Sequence, residues 1–308
     1  MHKLIARRLG TSVVAVFGVV LLVFILARLT GKPGVLFLSS GASPEAIEEF
    51  NRSQGFNDPV LVQLGHYLIS ATHLDFGQSL LFSQPALRVA LEHFPYTLLL
   101  AGLAMLVSLL IAVPLGCLSA YYKGGRLDRA VSTFSSLAVS VPNFWLALLL
   151  ILFLSVRLHV LPPSGSGSWQ SIVLPIITLV VAPAGLLSQV SRNSMIEVLK
   201  SEYITAARAK GLSRIMIVVK HALRNAAIPI ITIAGATAAS MVNGVLIVET
   251  VFAWPGIGFI TLQAVNTRDF ALLQACIIVT ATAVVIVNMV VDILYGVFDP
   301  RISQGSRR

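Results

Sequence analysis

Residues 201–225 read SEYITAARAKGLSRIMIVVKHALRN and lie between two long apolar runs. They are the most densely charged part of the chain, and they also hold Ala and Gly at tight spacing. From 193 to 210, Ile196, Leu199, Tyr203 and then Ala206 or Ala207 recur every three or four residues, the period of an amphipathic helix. Lys200 and Glu202 point away from that stripe. Gly211 is a natural helix stop, because glycine takes the left-handed conformation without a Cβ penalty. Ser213 then caps a second helix over 214–225, which feeds the next apolar run. The stretch predicts a short helix, a sharp turn and another helix on one face of an oily body.

That body is read from composition. Only 11% of the 308 residues are charged, against roughly 25% in a soluble domain, and 56% are hydrophobic with a mean hydropathy of +0.87. Charge is expensive in hydrocarbon, so the balance indicates a multi-span membrane protein. The net charge is +9. Collection of Lys and Arg in loops on one side of a membrane accounts for it, so no nucleic-acid partner is inferred. Cys117 and Cys276 each sit inside an apolar run and read as small packing residues; no Cys pair or Cys/His spacing points to a disulfide or a metal.

Six apolar stretches approach or exceed the length of a span: roughly 10–29, 95–121, 132–156, 172–190, 229–252 and 270–297. The fourth is the weakest by pattern, because Pro175 and Pro183 interrupt it. MHKLIARRLG and the run after it read as a retained first helix, with no clear cleavage site in ARLTGKPG. The 22 Lys and Arg divide 16 to 6 between alternating segments, and the richer set includes both ends and the 193–225 segment. The positive-inside rule places that set, with both termini, in the cytoplasm. The chain is read as a single transmembrane domain over 1–308, with a helical extracytoplasmic insertion at 31–93. In the insertion, Ser43 and Pro44 before EAIEEF mark one helix start, and Asp58 and Pro59 repeat the device.

Motifs for covalent chemistry are missing from the sequence. No GxxxxGK[ST] would hold ATP, and there is neither HExxH nor GxSxG. His66, His73 and His93 are too loosely spaced to define a metal site. Glu249 near the outer end of the fifth span and Asp292 near the inner end of the sixth serve as either functional acids or structural partners. Asn143, Asn243 and Asn288 either line a polar path or bind helices together. FAWPGIGF (252–259) has Pro255 and Gly256 for a tight bend, and Trp254 and Phe259 for contact with a partner or for a lid.

Two readings of the charged segment stand at this point: an interfacial helix on anionic lipid, or a rigid knob that docks in a cleft of another protein. Small residues and a glycine break favour the knob, because lipid makes no use of them.

The pattern TAARAKGL followed by HALRN resembles the EAA loop of ABC importer permeases. Aligned on Gly211, the triplet falls on Thr205, Ala206 and Ala207, and the closing elements on His221, Leu223 and Arg224. Thr for Glu and Arg for Pro resemble the dipeptide, oligopeptide and nickel branch. SPEAIEEF, DPVLVQLGHYL, DFGQSL, SVPNFWLALLL, SRNSMIEVL, ETVFAWPGIG and VDILYGVFDPRI extend the likeness over nearly the whole chain. TGKPGVLF is a departure from the usual turn after the first helix.

The resemblance implies an all-α, six-helix type I importer permease in a bacterial plasma membrane, with no catalytic role. Its implied partners are a homologous second permease, two ATP-binding subunits and an extracytoplasmic binding protein, within membrane lipid. The chain itself would bind no cofactor; ATP and Mg would sit on the partner ATPase subunits. Glu202, Thr205, Ala206, Ala207, Lys210, Gly211 and Ser213 would couple to those subunits. Asn143, Asn243, Glu249 and Asn288 would line the path, and Trp254, Pro255, Gly256 and Phe259 would meet the binding protein or form an outer gate. The substrate stays open among di- and oligopeptides, nickel complexes, haem and glutathione, with a stand-alone secondary transporter or an intramembrane enzyme as rival readings.

Overall fold

The computed structural model describes residues 43–298 except 54 and 56, and Phe17, Gly18, Val20, Leu21, Leu22, Phe24 and Ile25 of the first apolar stretch. Most of the expected first span, the start of the 31–93 insertion, both termini, and the side chains of Asn243 and Asp292 lie outside the described residues. Among those described, every regular element is helical, with one isolated bridge between Gln78 and Pro85.

Two short helices come first, α1 (Pro44–Ser53) and α2 (Val60–Thr72). Ser43 Oγ accepts the Ala46 N–H at 3.3 Å, the expected cap. At α2 the expectation fails: Pro59 itself is the N-cap, with no side-chain cap bond, and Asp58 contributes its backbone carbonyl to Gln63 Nε2 at 2.6 Å instead.

Among the described residues four helices are long and apolar enough to cross a membrane, Ala86–Tyr121, Trp169–Leu199, Ile217–Met241 and Phe270–Val291, and a bent pair makes a fifth if it counts as one span. The expected span 132–156 is broken within SVPNFW (140–145). α4 (Arg126–Ser140) and the helix after it, Asn143–Arg157, meet at a 101° bend over Val141 and Pro142. Pro142 has no N–H to donate, and it disfavours the helical conformation for the residue before it. Val141 is accordingly extended. The second half is α-helical over Asn143–Leu150 (α5) and π-helical over Ile151–Arg157.

The span expected to be weakest is the most buried of the four. α6 (Val173–Leu199) keeps Pro183 inside it, and its neighbours compensate. It packs on α3 (Ala86–Tyr121) and α4 through small residues. A Cβ at Gly185 would lie 2.8 Å from both Ser135 O and Ala138 Cβ, and one at Gly116 would collide with Ser188 O, Ser191 and the Arg192 backbone. Without a hydrophobic driving force between helices in lipid, such close backbone approach is what holds them together. Leu98, Leu106 and Leu110 of α3 are exposed, the face a bilayer covers.

The remaining helices are α7 (Glu202–Ala209), α8 (Leu223–Val251, entered through Arg214–Met216 and a π-helical turn Ile217–Ala222), α9 (Ile257–Asn266) and α10 (Phe270–Phe298). The chain divides into two compact units: Met1–Tyr96 with Pro255–Val285, and Thr97–Trp254 with Ile286–Arg308. In the first, Phe76, Ala86, Val89, Ile257, Ile260 and Leu272 form an apolar core. Buried Asp269 pins that core's turns: its Oδ2 accepts Ser79 Oγ at 2.6 Å and the Leu81 N–H at 3.1 Å, while its Oδ1 caps α10 through the Leu272 N–H at 3.0 Å. In the second, one core centres on Leu100, Leu174, Val245, Val248, Phe252 and Trp254, and another lies under α7. Cys117 and Cys276 are free and buried, as expected of packing residues.

Candidate functional site

α6 ends at Leu199, and the chain breaks over Lys200 and Ser201 before α7 begins. Ser201 Oγ donates back to Val198 O at 2.6 Å, closing the first helix, and Ser201 takes an extended N-cap conformation for the second. The expected single stripe over 193–210 is therefore two stripes. Within α7 the buried pair is Ile204 and Ala207, at i and i+3, not Tyr203 and Ala206. They pack with Cys117, Ala120, Met195, Ile217, Ala222 and Ala226. Burial of Ile204 alone contributes about 2 kcal/mol to holding α7 in place. Asn225 Nδ2 donates to Tyr203 Oη at 2.6 Å and ties α7 to the start of α8.

The opposite face of α7 is exposed: Glu202, Thr205, Ala206, Ala209 and Lys210. Ala207 is the correction among the expected docking residues. It faces the chain's own core, so the small surface on offer is Ala206 with Ala209, not the pair Ala206 and Ala207.

The stop at Gly211 is as expected. Gly211 has φ +77, its N–H reaches Arg208 O at 3.0 Å, and the Leu212 N–H reaches Ala207 O at 3.4 Å. This is a Schellman motif, which satisfies two of the last carbonyls of α7. Ser213 Oγ accepts the Met216 N–H at 3.4 Å, the expected second cap.

Close beside this segment lies a cluster that pattern reasoning missed. Asp128, in the first turn of α4, is 4% exposed. Its Oδ1 accepts Arg192 Nε and Ser119 Oγ, each at 2.5 Å. Its Oδ2 accepts Arg192 Nη2 at 2.9 Å and the Gly124 N–H at 2.8 Å. A bidentate guanidinium and two further donors saturate the carboxylate, the condition for an ion pair to be tolerated when buried. Gly124, at φ +81, supplies the tight turn that aims its N–H inward.

The expected path residues are not brought together as one set. Asn143 is half-buried at the start of α5, just past the bend, and Asn288 is exposed on α10. Glu249 does not face water. It is buried and accepts Thr97 Oγ1 at 2.6 Å.

At 252–259 the bend is made by Ala253, at φ +47, not by Gly256, which is extended. The Trp254 N–H reaches Glu249 O at 2.8 Å, and the Trp254 ring is buried in the core with Phe252. Trp254 is thus not offered for contact. Pro255 and Phe259 are half-buried and Gly256 is buried; His93 Nδ1 lies 2.8 Å from Pro255 O. Among the described residues no group of His, Cys, Asp or Glu could hold a metal.

Comparison with known proteins places this geometry. The chain is 34% identical to a putative peptide transport system permease protein of Brucella abortus (strain 2308), over 98% of this chain and 99% of that one. It is 33% identical to the oligopeptide transport system permease protein AppB of Bacillus subtilis (strain 168), with the same coverage. It is 32% identical to the metal-staphylopine import system permease protein CntB of Staphylococcus aureus (strain Mu50 / ATCC 700699), over the whole of both. In fold it resembles a chain of the MetNI methionine ABC transporter in an inward-facing conformation, with a TM-score of 0.57 and 21% identity, over 68% of this chain and 96% of that one. Residues 112–304, which carry α4 to α10, the clamp at Asp128 and the exposed α7, match the binding-protein-dependent transport system inner membrane component, and the chain belongs to that family.

Proposed function

We propose that the chain is the membrane-spanning subunit of an ATP-driven importer that takes up di- and oligopeptides. The observation that carries the reading is α7: a short helix whose apolar side is locked into its own subunit and whose small, polar side is exposed, closed by a rigid glycine stop. Such an element suits a knob in the cleft of a partner that moves. In this reading the exposed face of α7, with Glu202, Thr205, Ala206, Lys210, Gly211 and Ser213, sits on the cytoplasmic side. There it meets one of two ATPase subunits, which hold the ATP and Mg. A homologous permease completes the path, and an extracytoplasmic binding protein delivers the cargo. This chain moves helices and makes no covalent bond. The names of the Brucella and Bacillus relatives support peptide cargo.

A second reading of the cargo has its own support. CntB is named for metal-staphylopine import and is as similar to this chain as the peptide permeases are. A metal chelate and a short peptide share amino and carboxylate groups, so one path could serve either, with the binding protein selecting.

The test is co-purification of the tagged chain in mild detergent, followed by uptake into vesicles with and without ATP. The expected result is recovery with ATPase subunits and uptake that needs ATP. Recovery without them, with uptake persisting when ATP is absent, refutes the importer reading. Calorimetric titration of the partner binding protein with tripeptides and with metal chelates separates the two cargoes.

A further inference from the structure

The ion pair of buried Asp128 with half-buried Arg192 is absent from the coupling residues named above, yet it grips α6, the helix that leads into α7. α7 is joined to α6 by a two-residue break and shares an apolar cluster with Met195 of α6. Three residues before Met195, Arg192 grips Asp128 at the start of α4. Seven residues further along each helix, Gly185 of α6 meets Ser135 of α4 in backbone contact. The two fixed points are about 10 Å apart along antiparallel helices, since seven residues rise 1.5 Å each. At its far end α4 meets the 101° bend that starts α5 at Asn143.

An ion pair with a buried carboxylate is a poor choice for stability alone, because apolar residues of similar volume commonly do as well or better. What it supplies is a single setting. The bidentate guanidinium fits the carboxylate at one register of α4 against α6, while Ser119 of α3 and Gly124 of the turn before α4 take the remaining lone pairs and fix the carboxylate that Arg192 grips. A slide of one residue between α4 and α6 would break both Arg192 bonds at once.

We propose that Asp128 and Arg192 are positioning residues that lock α4 to α6, so that displacement of the exposed face of α7 is carried as one lever to the bend at Pro142. The inference rests on the importer reading above. The clamp touches neither cargo nor the exposed face of α7; it acts through α4.

The experiment uses the whole importer, with its second permease, ATPase subunits and binding protein, in lipid nanodiscs. Arg192→Lys keeps the charge and loses the bidentate grip; Asp128→Asn keeps the shape and loses the charge. Importers carrying either substitution are expected to assemble and to keep basal ATP hydrolysis. Stimulation of that hydrolysis by the binding protein, purified with its native ligand, is expected to fall at least about five-fold. Assembled variants stimulated to within about two-fold of the unchanged importer overturn the proposal, since that is the smallest change a coupling residue produces.

A second measurement does not depend on the variants folding. Spin labels at Leu137→Cys on α4 and Glu197→Cys on α6, both exposed, report the α4–α6 distance with the clamp intact. Cys117 and Cys276 are buried and stay unlabelled. The lever requires that distance to hold between nucleotide-free and ATP-bound states. A change of more than about 5 Å, one helical turn, overturns it. An unchanged chain that assembles with no ATPase subunits sinks the importer reading and the clamp with it. A normally stimulated Arg192→Lys importer sinks the clamp alone.

Discussion

Gly211 allows the stop of α7 and the docking of α7 to be separated by one series of substitutions. The residue sits at φ +77, and a Cβ built on it meets no heavy atom within 4 Å. A Cβ there therefore suffers backbone strain and meets no clash among the described residues. The left-handed conformation costs an L-residue roughly 1–2 kcal/mol, and Asn the least of the non-glycine residues. In the isolated permease, unfolded thermally in detergent, Ala, Leu and Trp at 211 are expected to lose the same amount, about 1–2 kcal/mol, and Asn less. In the assembled importer the prediction changes. If the open space is where a partner sits, Leu and Trp lose binding as well, and every further 1.4 kcal/mol is about a tenfold drop in assembly or in stimulated ATP hydrolysis. Ala, one carbon large, should stay near its strain cost. Two outcomes refute the reasoning. Trp worse than Ala in the isolated chain means the space is not open. Trp equal to Ala in the full assembly means nothing docks there, and α7 lies on lipid.

Other substitutions test the same geometry. Ile204→Ala should destabilise the permease by about 2–5 kcal/mol by leaving a cavity under α7, while Thr205→Ala, one residue on and exposed, should leave the melting midpoint in place. The hydroxyls of Ser135, Ser188 and Ser191 are buried without hydrogen-bond partners among the described residues, so Ser191→Ala should be neutral or stabilising by about 1 kcal/mol. Gly185→Leu, forced against Ser135 and Ala138, should abolish recovery of folded protein in the same thermal assay. Asp269→Ala strands Ser79 Oγ and two backbone N–H groups; it should cost at least about 2 kcal/mol and speed hydrogen exchange at Leu81 and Leu272.

What could be read from sequence was whatever a single residue settles locally. Ser43, Gly211 and Ser213 act within three or four positions of themselves, and all three behave as their chemistry dictates. The misses share a cause: the deciding partner is far away in the chain. α2, α8 and α9 end in the same hydrogen-bond pattern as α7, with Leu74, Ala253 and Arg268 in the left-handed seat that Gly211 fills. Glycine marked one stop in four. At Ala253 and Arg268 the next residue is held by burial, Trp254 among Phe252 and Val248, and Asp269 by Ser79 across 190 positions. That hold offsets the strain at the residue before it.

The stripe expected to end on either Ala206 or Ala207, with both as a small docking surface, failed in part for a related reason. A helical stripe can be extrapolated only while the helix continues, and the break at Lys200 and Ser201 resets its phase, burying Ala207 and leaving Ala206 outside. The break itself is set by neither propensity nor period. Met195 and Ile204 must both reach the core under α7, and an unbroken helix would place them nine residues and about 180° apart on its surface, since each residue turns the helix by about 100°. Folding the chain between them lets both be buried, and it is this same demand that turns the other side of α7, Thr205, Ala206 and Ala209, outward as a surface.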